Sequence, residues 1–276
     1  MIRPMLLARQ GWYPHSKDLC KKEIEKFIDD SIFIEGRIPV AGIVPHAGWY
    51  YCGQWSINVI KLLKQKNGDI GQIFIFGGHL SKSNLPIIED FDYAETPFGN
   101  LENNKEVVNA LTSNFNIQKV DFLPDNTIEI VLPIIKYFFK EVKIVAIYLP
   151  PNIKINDMLD FIEKNYSKNS IFIGSTDLTH YGSFYNFFHK DKSIDPVKWV
   201  KQINDRGYIE LLINMKGEES IEYANNNKSA CSAGAAYGSL YIARKKGVTK
   251  GELIGYSTSY DIRKDESFVG YTGIIY

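Results

Sequence analysis

The chain has 276 residues, 45% of them hydrophobic, enough for a large core that removes roughly three quarters of the unfolded surface from water. Its 32 basic and 32 acidic side chains cancel, which argues against a nucleic-acid partner gripped by many phosphate contacts, and no window approaches the ~18 uncharged apolar residues of a membrane span. Three cysteines without framework spacing, and an N-terminus too poor in apolar residues for a signal peptide, fit a cytoplasmic protein.

In chain order, Gln10-Gly11-Trp12-Tyr13-Pro14-His15 reads as a loop, followed by a helix from about Ser16 to Asp29 with Leu19, Ile24, Phe27 and Ile28 on one face. Trp12 and Tyr13 are either a packed turn or the rim of a pocket, and His15 reads as a surface residue. Ile38 to Val44 is a short apolar run, a buried strand that Pro45 stops because it has no N–H to donate. His46 sits just past that strand, beside Gly48, with Trp49 and Tyr50 following. Gln54 to Lys66 has helical period and ends at Asn67-Gly68. Gln72 to Gly77 is a second apolar run and delivers His79.

Ile87 to Leu101 reads as a hairpin region around Thr96-Pro97-Phe98-Gly99, followed by a helix from Asn104 to Asn114 and a short strand from Val120 to Leu123. Thr127 to Phe139 reads as one buried helix, and Lys143 to Leu149 as a strand closed by Pro150-Pro151. After a helix from Ile155 to Asn165, the strand starting at Ser170 runs into Asp177-Leu178-Thr179-His180. Phe184 to Trp199 is aromatic-rich and irregular, placed near the mouth of a site. Helices follow near Val200 to Met215 and Ser220 to Asn225, then a small-residue helix from Asn227 to Lys246, and two closing strands, Glu252 to Tyr260 and Phe268 to Tyr276. Strands alternating with helices, without a repeat or linker, predict one α/β domain over residues 1–276, a layered sandwich on a mainly parallel central sheet.

In open α/β sheets ligands bind beyond the carboxyl ends of the strands. His46, His79 and His180 all fall at such ends, so a shared site is expected. Imidazole is the commonest metal ligand. Asp177 either orients the His180 ring or caps a turn, and His180 is expected in the pocket as a non-ligand held by Asp177 or by a backbone carbonyl. Cys231, expected in the first turn of a helix, is either an inert packing residue or a thiolate stabilised by the helix dipole. A thiolate beside two imidazoles would suit iron, copper or zinc.

These residues resemble the signatures of the Memo family. Pro45-His46-Ala47-Gly48-Trp49-Tyr50-Tyr51-Cys52-Gly53 is similar to its Pro-His-Ala-Gly-Tyr-x-Tyr-Ser-Gly, and Gly77-Gly78-His79 to its Gly-Pro-x-His. Thr96-Pro97-Phe98-Gly99 resembles Thr-Pro-Leu-Gly, Ser175 to Gly182 resembles Ser-Ser-Asp-Phe-x-His-Trp-Gly, and Ala230-Cys231-Ser232 resembles Ile-Cys-Gly. Gly11-Trp12-Tyr13-Pro14 fits the family's opening. The resemblance implies a fold like that of the LigB-like class III extradiol dioxygenases. It implies His46 and His79 as metal ligands, with Cys231 in place of the dioxygenase carboxylate, and His180 as acid–base histidine with Asp177 beside it. Prokaryotic members are named AmmeMemoRadiSam system protein B, which implies AMMECR1-like and radical SAM proteins as neighbours. Asp125-Asn126-Thr127-Ile128-Glu129 departs from the usual Glu-His-Ser-x-Glu, so Asn126 removes a second pocket base.

The expected function is a metal-dependent redox or oxygenase-like protein holding iron or copper, with zinc a third candidate metal. The alternative is a peptide- or protein-binding module with Trp12, Tyr13, Trp49 and Tyr50 on its rim. A zinc hydrolase finds less support, since no His-Glu-x-x-His motif is present.

Overall fold

Alternation inside the apolar runs sets the architecture. Ile73 and Ile75 belong to one hydrophobic cluster and Phe74 and Phe76 to another, because successive strand residues point to opposite faces. Ile171 and Ile173 against Phe172, and Ile144 and Ala146 against Val145 and Ile147, repeat the division. A run buried on both faces in this way belongs to the middle of a parallel sheet with helices on either side. Each of these isoleucines and phenylalanines contributes about 1.5–3 kcal/mol on full burial.

The computed structural model describes residues 1–36, 38–66 and 68–276. Among these, the strands are β1 (Ile2–Arg3), β2 (Ala41–Val44), β3 (Gln72–Gly77), β4 (Ile87–Glu89), β5 (Tyr93–Ala94), β6 (Leu101–Asn103), β7 (Gln118–Val120), β8 (Lys143–Tyr148), β9 (Ser170–Ser175), β10 (His180–Tyr181), β11 (Glu252–Thr258) and β12 (Phe268–Ile275). They form a sheet in the order β1-β5-β6-β8-β3-β9-β2-β12-β10, with β11 on β12, β4 on β8 and β7 on β4. The centre, β6-β8-β3-β9-β2, is parallel, as expected. β10, β11 and β12 add an antiparallel margin. Helices Lys17–Phe27, Trp49–Lys66 and Leu132–Phe138 cover one face; Asn156–Tyr166, Asp205–Ile213, Gly217–Asn227 and Ala233–Lys245 contribute to the core on the other. The last of these lies so close to the sheet that a Cβ on Gly174 would stand 2.5 Å from the Ala235 carbonyl oxygen. No described helix is long and apolar enough to cross a membrane.

Several expected elements differ from the observed ones. The strand expected from Ile38 is β2, which begins at Ala41, and Ile38 is exposed. Leu19 also faces solvent; Cys20 and Ile24 form the buried face of helix Lys17–Phe27, which Ser16 caps. The helix expected from Gln54 starts at Trp49, bringing its first turn next to His46. Its expected Asn67-Gly68 terminus involves Asn67, which lies outside the described residues. The expected hairpin is β5 paired with β6, whereas β4 leaves it to pair with β7 and β8. The strand expected over Val120 to Leu123 is β7, ending at Val120.

Thr127 to Phe139 is two short helices, Asn126–Glu129 and Leu132–Phe138, with Pro133 in the first turn of the second, where its missing N–H costs nothing. The helix expected from Val200 opens with a π-helical turn, Val200–Asn204, before Asp205–Ile213.

Candidate metal centre

The site is built at the carboxyl ends of β2, β3 and β9. Val44 of β2 is in register with Ser175 of β9, so the residues that follow them are neighbours. The His46 N–H donates to Asp177 Oδ1 at 2.7 Å, and its ring Nδ1 lies 3.2 Å from Ser175 Oγ. That leaves Nε2 pointing at Cys231 Sγ, 3.2 Å away. From β3 the chain passes through Gly78, whose φ of +106° belongs to glycine's range and whose Cβ, if present, would lie 2.8 Å from Tyr148. His79 follows, its Nδ1 3.0 Å from Asp125 Oδ2. The His46 and His79 rings stand nearly perpendicular with centroids 5.1 Å apart.

Ligand atoms of His46, His79 and Cys231 all lie within 4.8 Å of one another. Such spacing suits three ligands each about 2.0–2.3 Å from one centre. The donor chemistry fits as well. Both histidines have Nδ1 engaged by an outer partner, which fixes the ring and frees Nε2, as metal-bound imidazoles require.

The electrostatics run the same way. Burial alone would push the Cys231 thiol up, but the adjacent His46, then His79 and His180, hold it well below its ordinary value. Burial likewise works against charge on His79, yet Asp125 and Cys231 raise it to about 10. Burial disfavours a charged His46 too, and Asp177 and Cys231 outweigh it, raising its pKa. The two rings and the thiol thus favour one another's charged forms, and a cation bound among them would release protons.

The other expected site residues are distributed differently. Cys231 is not in a first helical turn: Ser232 is the N-cap of Ala233–Lys245, and the Cys231 N–H donates to the Asp177 carbonyl oxygen at 3.2 Å. Its thiolate is therefore stabilised by imidazoles rather than by a helix dipole. Asp177 does not hold the His180 ring. It serves His46, while His180 Nδ1 lies 3.0 Å from the Leu178 carbonyl oxygen and its ring meets Tyr185 edge-on. The carbonyl can only accept, so His180 Nδ1 carries a proton, and Nε2 is the ring nitrogen left for a ligand. The buried Asp205 accepts from the Thr179 N–H at 3.1 Å and from Tyr256 at 2.7 Å, fixing the loop that carries His180. Asn204, at the end of the π turn, donates to Thr179 Oγ1.

A cavity of about 830 Å³ opens over His46, His79, Asp177, His180 and Asn126. Trp12, Tyr13, Trp49 and Tyr50 all line it, but not equally. Tyr13 and Trp49 are buried and stacked, with Trp49 Nε1 donating to the Ile130 carbonyl oxygen. Tyr50 is 65% exposed. Of the stretch expected at the mouth, Phe184 and Tyr185 line the cavity, whereas Phe187, His189 and Trp199 pack around Tyr181. Asn126 donates from Nδ2 to the His46 carbonyl oxygen at 3.0 Å.

Sequence reasoning missed Asp125, Ser175, Tyr51, Tyr185 and Tyr271. Asp125 carried a legible signal: it is the carboxylate directly before Asn126 in a segment already marked as unusual.

The family described as Memo-like protein matches residues 3–275. Similar proteins include a MEMO1 family protein of Methanosarcina barkeri, 25% identical over 273 residues covering 96% of each chain. Another, of Pyrococcus furiosus, is 25% identical over 291 residues covering 100% of this chain and 99% of the relative. A third, of Methanobrevibacter smithii, is 28% identical over 297 residues and the full length of both. The crystal structure of an uncharacterized protein from Escherichia coli K12 has a TM-score of 0.55 at 9% identity, covering 87% of this chain and 99% of that one. That likeness is one of fold.

Proposed function

This chain belongs to the Memo family, and from that premise we propose that it is a metal-dependent redox protein, oxygenase-like in its chemistry, in which His46, His79 and Cys231 hold iron or copper. The reading covers residues 1–276 as one domain. The observation that carries it is the gathering of two imidazoles and one thiol with their ligand atoms within 4.8 Å. Iron or copper bound there would supply electron-transfer and dioxygen chemistry, whereas zinc would supply Lewis acidity alone.

The remaining steps fall to the chain's own residues. Asp125 and Ser175 keep the two rings oriented. His180, with Nδ1 held by Leu178, offers Nε2 to take a proton from a ligand and return it. Asn126 is an amide and cannot share that task; it pins the His46 backbone. The stacked Tyr13 and Trp49 keep water from one wall of the cavity.

The test is elemental analysis of protein purified without oxygen from cells supplied with iron and copper. Near-stoichiometric iron or copper is expected, lost in Cys231→Ala and kept in His180→Ala. Stoichiometric zinc, or no metal, would overturn the redox reading. The exposed rings of Tyr50 and Phe184 at the mouth favour a second reading, a peptide-binding module. A peptide bound equally well by metal-free Cys231→Ala protein would decide for it.

A further inference from the structure

Asn204 and Asp205 are both buried where the π turn passes into helix Asp205–Ile213. Turns of this kind are uncommon and recur at functional sites. Asp205 accepts hydrogen bonds from the Thr179 N–H and hydroxyl and from the Tyr256 hydroxyl, all neutral donors. Its own helical run carries Lys201 and Arg206, but these pair with Asp261 and Glu210. From neighbouring elements, Tyr256 of β11 and Tyr223 of helix Gly217–Asn227 feel its charge. Gly270 of β12 packs against it, where a Cβ would stand 2.0 Å from Asp205 Oδ2. The titratable groups flanking Thr179 turn elsewhere, Asp177 to His46 and His180 to Leu178. Burial outweighs the hydrogen bonds and lifts the Asp205 carboxyl from 3.8 to about 7. The folded chain thus keeps a proton that the unfolded chain gives up. Stability from the neutral form is complete below about pH 3.8 and is lost as pH rises through about 7. An asparagine oxygen could accept both Thr179 donors without that loss, and perturbed buried carboxyls of this kind gather at functional sites.

The same two residues join two loops of the site. Asn204 Nδ2 donates to Thr179 Oγ1 at 2.8 Å and to the Asn227 carbonyl oxygen at 3.1 Å. Thr179 directly precedes His180, and Asn227 ends the helix from which the chain runs on to Cys231. The Cys231 N–H closes the other end on the Asp177 carbonyl oxygen. Hydrogen bonds to an ionised acceptor are roughly twice as strong as neutral ones. A proton on Asp205 removes that advantage and adds a donor where three neighbours already donate, which loosens the hold on Thr179.

Resting on the reading of His180 as the group that exchanges a proton with a ligand, we propose that Asp205 is a positioning residue for His180, acting through Thr179. Ionised, it holds the loop that keeps His180 Nδ1 on the Leu178 carbonyl oxygen; protonated, it releases that loop. Loop order therefore rises with pH across neutrality, while the Asp205 contribution to global stability falls. A merely structural carboxyl would move the two together.

Hydrogen exchange read by mass spectrometry on the full chain tests this, with metal content measured on the same samples. Protection of the segment 177–182, taken relative to the intrinsic exchange rate, should be about tenfold greater at pH 8 than at pH 6. In the diamagnetic zinc-loaded chain the NMR signal of the His180 Nδ1–H, assigned with His180→Gln, should sharpen over the same interval. Asp205→Asn should abolish both changes and lose less stability to urea than wild type between pH 6 and 8. Should that variant fail to fold, Tyr256→Phe removes one donor to the charged form and should carry the midpoint of the protection change to higher pH. Equal protection at pH 6 and 8, a His180 signal indifferent to pH, a wild-type change persisting in Asp205→Asn, or an unmoved midpoint in Tyr256→Phe would overturn the proposal. A chain purified without metal that still shows the protection change would sink the redox reading and leave this one standing; an iron- or copper-loaded chain with pH-independent protection would do the reverse.

Discussion

Two groups of ionisable side chains lie near Tyr13, which bonds Glu129 of the first, a buried one, and lines the cavity of the second, where His79 is exposed. In one, Arg3 meets Glu89 through Nε at 3.0 Å and Glu129 through Nη1 at 3.2 Å. The remaining carboxylate capacity there is filled by Tyr148, Tyr13 and the N–H groups of Leu7 and Leu123. In the other, His46, His79 and Cys231 face one another, with Asp177 and Asp125 alongside. The first group carries its own cation on a guanidinium held by three acceptors. The second gathers two imidazoles and a thiol with no guanidinium or ammonium among them. A buried set whose hydrogen-bonding capacity is filled is structural, whereas converging ligand atoms with no side-chain cation among them are open to an added ion.

The comparison breaks most visibly at Arg3. Arg3→Met leaves Glu89 and Glu129 buried without a cation, which should cost about 3–5 kcal/mol of stability, read from urea unfolding. Adding Glu89→Gln and Glu129→Gln to the same chain should restore most of it, since the charge then vanishes from both sides. A single Arg3→Met variant losing under about 1 kcal/mol would mean the cluster is not closed as described.

On the open side the instructive change is Asp125→Asn. Asp125 has two duties: Oδ1 caps helix Asn126–Glu129 through the Thr127 N–H at 2.8 Å, and Oδ2 holds His79. Asparagine caps as well as aspartate, so the fold should be unaffected. Its amide, however, would donate to His79 Nδ1 and drive the ring proton to Nε2, the atom needed for the metal. Metal affinity should fall roughly 10–100-fold by chelator competition, with urea stability unchanged. Unchanged affinity would show that Asp125 does not orient the ring.

The two groups also differ in how legible they were. His46 and His79 each follow an uninterrupted apolar run, and a parallel sheet must bring such ends to one side. Cys231 was found with them, although its place before the helix was misread because Ser232 and the following small residues carry no sharp start signal. Nothing local marks Arg3, whose partners lie 86 and 126 residues away. The Asp177–His46 contact was equally hidden. The nearness of Asp177 to His180 in sequence suggested a pairing that β10, by continuing extended against Val269, does not allow. The parallel centre was readable from residue type, but the strand order was not, because β3 and β9 are joined by long-range packing such as Phe74 on Phe172 at 5.1 Å.

Exposure supplies the smallest and sharpest contrast. Arg244 grips Glu218 with two hydrogen bonds, 2.9 and 2.7 Å, a better fork than Arg3 makes with either carboxylate. Yet the two side chains are 36% and 43% exposed. Water already solvates both ions, and salt screens what remains, so Glu218→Gln should cost only about 0.3–1 kcal/mol at neutral pH. Hydrogen bonding to Arg244 outweighs partial burial and lowers the Glu218 carboxyl to about 2 from an ordinary 4.5. The folded chain therefore releases this proton more readily than the unfolded one. The contribution is complete above about pH 4.5 and is lost as pH falls towards 2. Urea melts of wild type and Glu218→Gln should differ at pH 6, converge as the pH drops through that window, and converge also at high salt. A gap that persists in molar salt would place Glu218 with the buried carboxylates of Arg3 rather than with the solvated surface.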